Sequence, residues 1–200
     1  MSPTVPRLRL ERGRTAIRPF GRGDLDALLA LRIANRGFMA EYEADRSEAF
    51  FTRAGQAREI SLDGEAWTAG AGFAFAVLDL DEDERLIGRI ALSNVVRGPW
   101  QNATLGYWID LAANGRGHAT NAVVLTCRFA FEHAGLHRAQ PAIMPRNARS
   151  RRVVEKAGFR KEGTALRYLK IAGVWEDHDI FALTREEWRE PPLRQPSLSA

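Results

Sequence analysis

The chain holds one cysteine, Cys127, in 200 residues. It therefore cannot rest on a disulfide framework, and a reducing cytoplasm is the expected compartment. No apolar run approaches the roughly 20 residues that span a bilayer, so no membrane partner is expected. The first residues, MSPTVPRLRLERGR, lack the apolar stretch of a secretory signal. Lysine is scarce, at three against 26 arginines. That ratio reads as genome composition rather than as an arginine-specific binding code. No internal repeat is visible, and no set of metal ligands is expected. What is present is ordinary for a globular chain: 45% hydrophobic and 27% charged residues, with length for one domain and a full core. Collagen, a disordered polymer and a disulfide scaffold are excluded.

The net charge is 29 basic minus 25 acidic residues, or +4. Its distribution says more than its total. Residues 138–170 hold ten basic side chains against Glu155 and Glu162, whereas residues 79–84 hold five acids. An anionic ligand or partner would be steered to the first of these regions.

The pattern mixes both periodicities. Leu8, Leu10, Ala16, Ile17 and Phe20 suggest one or two short strands. Asp24 opens a helical stretch with Leu25, Leu28, Leu29 and Ile33 at spacings of three and four. Ser47 is the expected cap of a second helix carrying Phe50, Phe51, Ala54 and Ala57. Residues 71–80 and 86–96 read as paired strands with the acidic run as their turn, and 104–111 as another strand. A long, largely buried helix is expected over 117–133, closed by Gly135. A short strand over 138–144 ends at Pro145, and a helix runs from Asn147 to Gly158. Closing strands are expected at 159–165, 168–171 and 174–183. This order predicts one mixed α/β domain over residues 8–188, with residues 1–7 and 189–200 as flexible tails.

The strongest local signal is the loop Asn114-Gly115-Arg116-Gly117-His118-Ala119-Thr120, which follows a strand and opens the long helix. Glycines let the backbone turn sharply and present N–H groups without an intervening Cβ. The unpaired amides and dipole of a helix start suit a pyrophosphate. A Walker A loop is excluded because the Lys-Ser/Thr pair is absent, and a dinucleotide fingerprint because the third glycine is missing. The alternative is an ordinary glycine-containing strand-to-helix turn. A second signal is Asn147-Ala148-Arg149-Ser150, followed by Glu155-Lys156-Ala157-Gly158-Phe159. Taken alone, these pieces read as a helix cap, a helix stop and a core aromatic.

Together, in this order and spacing, the two segments resemble the GNAT superfamily of acetyl-CoA-dependent N-acetyltransferases. The segments Ser93–Gly98, Leu105–Ile109 and Gly173–His178 are similar to the RimJ type of ribosomal-protein-alanine N-acetyltransferase. The resemblance covers about residues 8–188. It implies a GNAT-like fold: a central, mostly antiparallel mixed sheet flanked by helices, with splayed strands that hold acetyl-CoA. The family's pyrophosphate motif, Q/R-x-x-G-x-G/A, falls on Asn114, Gly117 and Ala119, and Asn114 departs from the usual Gln or Arg. The resemblance assigns cofactor contacts to Gly115, Arg116, Gly117, His118, Ala119 and Thr120, to the backbone at Ile109 and Leu111, and to Asn147. It places the Ser150 hydroxyl near the thioester sulfur.

The chemistry that the resemblance implies is attack of a neutral amine on a thioester, with a thiolate leaving. An α-amine has a pKa near 7.7–8.0 against about 10.4 for lysine, so a weak base or water chain suffices for it. A hydroxyl can serve the leaving thiol as acid. The candidates for catalysis are Ser150, Tyr168 and Glu43. Tyr168 is either an acid or a half-buried strand residue. Glu43 either shapes the acceptor site or is a solvated helix-end charge. Tyr42, Asn94 and Trp108 are candidate substrate contacts. Tyr107 and Trp108 alternate on one strand, so only one is expected to face substrate. His118 is expected at the surface, and Cys127 in the core. Arg146, Arg149, Arg151 and Arg152 have three readings: a contact to the 3′-phosphate of coenzyme A, a landing patch for ribosomal RNA, or a solvated helix face.

The expected activity is acetylation of an α-amine, that of the N-terminal alanine of a ribosomal protein, by a cytoplasmic monomer or homodimer. Two rivals stand beside it. One is the same scaffold acting on a small amine: an antibiotic, a polyamine or an amino acid. The other is a non-catalytic ribosome- or RNA-associated module, against which the intact glycine loop argues.

Overall fold

The computed structural model describes residues 8–193, and its sheet starts at the amino-terminal end. Strands β1 (Leu10–Arg12) and β2 (Thr15–Pro19) form a hairpin. Helices α1 (Leu25–Ala34), α2 (Arg36–Ala40) and α3 (Arg53–Thr68) follow, then β3 (Phe73–Asp79), β4 (Arg85–Val96) and β5 (Asn102–Ile109). Helix α4 (His118–Arg128) leads to β6 (Arg138–Gln140) and β7 (Ala142–Ile143). Helix α5 (Ala148–Lys156), β8 (Arg160–Ile171) and β9 (Val174–Thr184) complete the order. The nine strands run β1-β2-β3-β4-β5-β6-β9-β7, with β8 on β9. Every pairing is antiparallel except β5 with β6. This is the mixed α/β architecture expected of the fold.

Period-two alternation in β3 divides the core. Phe73, Phe75 and Val77 join α4, α5 and β9 in the larger apolar cluster. Ala76 and Leu78 face a smaller one with Leu28 of α1 and Ile60 of α3. Burying α4 over most of its circumference explains its apolar character, and Cys127 lies wholly inside with it.

Several local expectations change. Thr52, not Ser47, caps α3: its hydroxyl accepts from the Gly55 amide at 3.1 Å, because residues 48–51 already form a separate 3-10 turn. The long helix changes pitch at Phe129, where a π-helical turn (Phe129–His133) takes over before Gly135. The two strands expected at 159–171 are a single β8 with an irregularity between Ala165 and Leu169, where Arg167 has φ +49°. The segment 189–193, expected as part of a tail, is docked. Glu190 pairs with Arg12 at 2.6 Å and with Arg128 at 2.5 Å. The remaining expected tails, 1–7 and 194–200, lie outside the described residues.

The feature that positions the site is the break between β6 and β7. Parallel pairing with β5 covers only Asn102–Thr104. Pro141 then interrupts the strand; it has no N–H to continue a ladder, and its carbonyl turns to accept from Phe181. Beyond it β7 pairs with β9 instead. The edge of β5 from Leu105 to Ile109 is left without a strand partner on that side, and the sheet opens there.

Candidate active site

A cavity of about 360 Å³ occupies this opening, within the range of small-ligand sites. It brings together Tyr42, Glu43, Trp108, Ile109, Asn114, Ala119, Asn147 and Ser150. These come from the end of α2, the open half of β5, the start of α4 and the start of α5. The opening also corrects the alternation argument: both Tyr107 and Trp108 line the cavity, because it wraps around the unpaired edge of β5. Tyr107 donates from its hydroxyl to the Ser150 carbonyl at 3.1 Å, tying α5 to β5 across the gap. Burial pushes its phenol well above the usual tyrosine range, so the group stays a donor. Asn147 accepts at Oδ1 from the Ser150 amide at 3.1 Å and thereby caps α5.

The loop at the other end of the opening has an outward-facing backbone. Gly115 and Gly117 have φ of +81° and +90°, and a Cβ built on either would meet nothing within 4 Å. The space beside the loop is open, and the first amides of α4 have no acceptor within their own helix. Positive φ favours glycine at both positions. The gap and the loop therefore leave room along residues 109–120 and Asn147 for the extended arm and pyrophosphate of the cofactor that the resemblance implies.

The loop is also anchored from behind, through contacts that sequence inspection missed. His118 is wholly buried rather than at the surface. Its Nδ1 lies 2.9 Å from the Thr15 hydroxyl and its Nε2 3.0 Å from Asp79. Burial outweighs the attraction of Asp79 and pushes the imidazole below the ordinary histidine pKa. Arg116 turns its side chain back to Glu82 at 2.5 Å, so the acidic run of 79–84 secures the loop. Leu111 departs from its expected role: its amide donates to Asn35 Oδ1 at 2.8 Å. Asn35 also donates to Asp110 at 3.1 Å, and Arg85 meets Asp110 at 3.0 Å. Against the cost of burial, hydrogen bonds from Arg85, Asn35 and the Ala112 amide hold the Asp110 carboxyl below its usual range.

The far wall is rich in guanidinium groups. Arg32, Arg46, Arg89 and Arg149 line the cavity with a single carboxylate, Glu43. Glu43 lies 3.3 Å from Arg32 and 4.0 Å from Arg46. Arg89 is held by both oxygens of Asp63, at 2.6 and 3.2 Å. The basic cluster around the start of α5 divides: Arg146, before the helix, pairs with Glu176 and Arg151 faces Asp179, whereas Arg149 faces the cavity.

Of the candidate catalytic and substrate residues, two are not brought to this site. Tyr168 stands on β8, outboard of β9, with its ring against His178 at 5.6 Å. Asn94 sits in the β4 irregularity with φ +51° and is exposed, and its neighbour Ser93 lines the cavity instead. Gly115, Arg116, Gly117 and Thr120 lie on the loop and first turn of α4, beyond the cavity wall. Among the described residues, no group of three or more His, Cys, Asp or Glu side chains is arranged to hold a metal ion. No helix among them is long and apolar enough to cross a membrane.

The sequence matches the acetyltransferase (GNAT) domain family over residues 14–160. It is 40% identical over 167 residues to the probable N-acetyltransferase YjcK of Bacillus subtilis, covering 84% of this chain and 92% of that protein. It is 34% identical over 184 residues to the ribosomal protein uS5-alanine N-acetyltransferase of Escherichia coli, covering 92% and 94%. The fold superposes on Mycobacterium smegmatis RimJ in complex with CoA-disulfide with a TM-score of 0.82 at 28% identity, covering 86% of this chain and 83% of that one. With an open sheet, a glycine loop at the head of α4 and these relatives, the chain belongs to the GNAT family of N-acetyltransferases, enzymes that use acetyl-CoA.

Proposed function

We propose that this enzyme takes acetyl-CoA as its co-substrate and acetylates an α-amine, that of the N-terminal alanine of a ribosomal protein. The observation that carries this reading is the charge of the cavity: one carboxylate, Glu43, beside two guanidinium groups that have no other carboxylate partner among the described residues, Arg32 and Arg46, while Arg89 is already neutralised by Asp63. A single carboxylate suits an acceptor with one ammonium. A polyamine or an aminoglycoside brings several, and each further positive charge would meet an arginine in a confined space. The name of the Escherichia coli relative supports an N-terminal alanine as acceptor, and a ribosomal-protein acceptor implies a cytoplasmic enzyme.

In this reading acetyl-CoA supplies an activated acetyl thioester. The amides from Gly115 to Ala119 hold its pyrophosphate, and the backbone at Ile109 with the Asn147 side chain orients the pantetheine arm. Arg149 serves a distal phosphate. The Ser150 hydroxyl stands near the sulfur as proton donor to the thiolate. Glu43 receives the acceptor ammonium, and neutral pH does most of the deprotonation that an α-amine needs. An ammonium with a lysine pKa would need about two and a half further units of help, roughly 3.5 kcal/mol.

Acetyl transfer to a panel of peptides tests this. Peptides with a free N-terminal alanine should react faster than the same peptides blocked at the terminus and carrying an internal lysine, and faster than spermidine. The rate should rise from pH 7 to 8.5. Faster reaction of the blocked lysine peptide at pH 7 would discard the reading.

A further inference from the structure

Arg32 occupies a position in α1 that the fold alone does not explain. It is 6% exposed, whereas its neighbour Ile33 is 55% exposed. Its guanidinium carbon lies 4.4 Å from the centroid of the Trp108 ring and 5.1 Å from that of Phe50. The two rings fix where the guanidinium sits. Its hydrogen bonding is poor. Nη1 gives long contacts to Glu43 Oε2 at 3.3 Å and to Met39 Sδ at 3.6 Å, and Nε is buried with no acceptor. A guanidinium offers five N–H donors, and charge-assisted bonds normally close to 2.7–2.9 Å. Burial, against the pull of Glu43, lowers its pKa to about 10. Its other charged neighbours in the cavity are Arg46 and Arg89, both positive. For stability alone, an apolar residue of similar volume would serve as well or better. A desolvated, under-bonded guanidinium on the wall of a ligand cavity is instead a donor set awaiting an oxygen.

Resting on the α-amine reading above, we propose that Arg32 is a specificity-determining residue that donates to the oxygen on the carbon next to the amine-bearing one. In an N-terminal peptide this is the first peptide carbonyl. The spacing suits it: standard bond lengths put that oxygen about 2.7–3.6 Å from the α-nitrogen. Glu43 Oε2 and Arg32 Nη1 are 3.3 Å apart, so one α-amino carbonyl unit can meet both, its nitrogen toward Glu43 and its oxygen toward Arg32. A lysine side chain or a polyamine has only methylene groups at that place and leaves the guanidinium unsatisfied. Sites built to bond a substrate oxygen reject analogues lacking it far more strongly than apolar pockets reject a missing methylene. Selection of α-amines then has two sources, the amine's own pKa and this oxygen.

The test uses the full chain with acetyl-CoA and two synthetic acceptors. One is a peptide beginning with alanine; the other is the same peptide with an E-alkene replacing the first peptide bond. With every kcat/KM expressed per neutral amine, because the allylic amine of the alkene keeps its proton to higher pH than the α-amine, the parent should lose about thirtyfold or more on the alkene. In Arg32→Met the two acceptors should differ by no more than about threefold, through a raised KM for the peptide, while acetyl-CoA binding by calorimetry stays within about twofold. If Arg32→Met does not accumulate as folded protein, Arg32→Lys replaces it; it keeps the charge, loses the planar fork and should show an intermediate ratio. A parent that treats both acceptors within about twofold overturns the proposal without any variant, as does a variant that keeps the parent's ratio. Either result would leave the α-amine reading standing. A parent that ignores both acceptors but acetylates the blocked lysine peptide overturns both.

Discussion

His118 Nε2 lies 3.0 Å from Asp79 Oδ2, and both side chains are wholly buried. This contact, with that to Thr15, fixes the first residue of α4 against β2 and β3. It sets the loop from inside, without touching a ligand. His118→Ala should therefore raise the KM for acetyl-CoA about fivefold or more while kcat at saturation changes by less than about threefold. Leaving the Thr15 and Asp79 groups without their partner should also cost about 1–3 kcal/mol of stability. Steady-state kinetics with varied acetyl-CoA and urea unfolding measure the two effects. An unchanged KM would remove His118 from any positioning role.

The same histidine gives a pH dependence of defined sign. Burial holds its pKa below the unfolded value of about 6.5. Below pH 6.5 the unfolded chain takes up a proton that the native state does not. Stability from this group is therefore complete above that pH and declines as pH falls through it. From pH 7.5 to 5.5 the parent should lose more stability than His118→Gln in urea unfolding. Equal losses in the two proteins would contradict the assignment.

Gly117→Val tests the loop directly. A β-branched residue at φ +90° is strained by about 1–3 kcal/mol, and its side chain would fill the open face beside the amides. Acetyl-CoA affinity should fall at least about tenfold by calorimetry. Tight binding in the variant would show that the pyrophosphate does not approach this face.

At the start of α5 the structure separates two residues that share one turn. The side chain of Asn147 makes the cap, whereas Ser150 gives it only a backbone N–H. Asn147→Ala should cost about 1 kcal/mol of stability. Ser150→Ala should stay within about 0.5 kcal/mol and lower kcat about tenfold if the hydroxyl assists the thiolate. Thermal unfolding and turnover, measured on both variants, distinguish the roles. Undiminished turnover in Ser150→Ala would dismiss the proton-donor assignment.

Local signals were legible where local physics decides. The β3–β4 pair, the glycine loop, the Asn147 cap and the stop at Gly158 all follow from spacing and backbone preference. Long-range partnerships were not. The period of α1 marked Ile33 for the interior, yet Arg32 is buried, because its partners Trp108 and Phe50 come from other segments. His118 read as a loop residue because Thr15, 103 positions away, is invisible from its neighbourhood. Tyr168 resembled a site residue in sequence, but which side of β9 its strand takes is a matter of sheet order. Asn35 and Asp110, which brace the end of β5, carry no local signature at all.

The docked segment after Trp188 changes where the folding unit ends. The guanidinium of Arg12 is 7% exposed and is neutralised by Glu190, with the Pro191 carbonyl as a further acceptor. Leu193 approaches Gly13 so closely that a Cβ there would stand 3.3 Å from it. The two ends of the described chain thus meet beside β1. A version cut after Trp188 would strand the buried Arg12 cation without its carboxylate, at a cost in stability. The same proximity suits the described span, residues 8–193, to circular permutation, with a short linker joining residues 8 and 193 on the β1 side and new termini opened elsewhere.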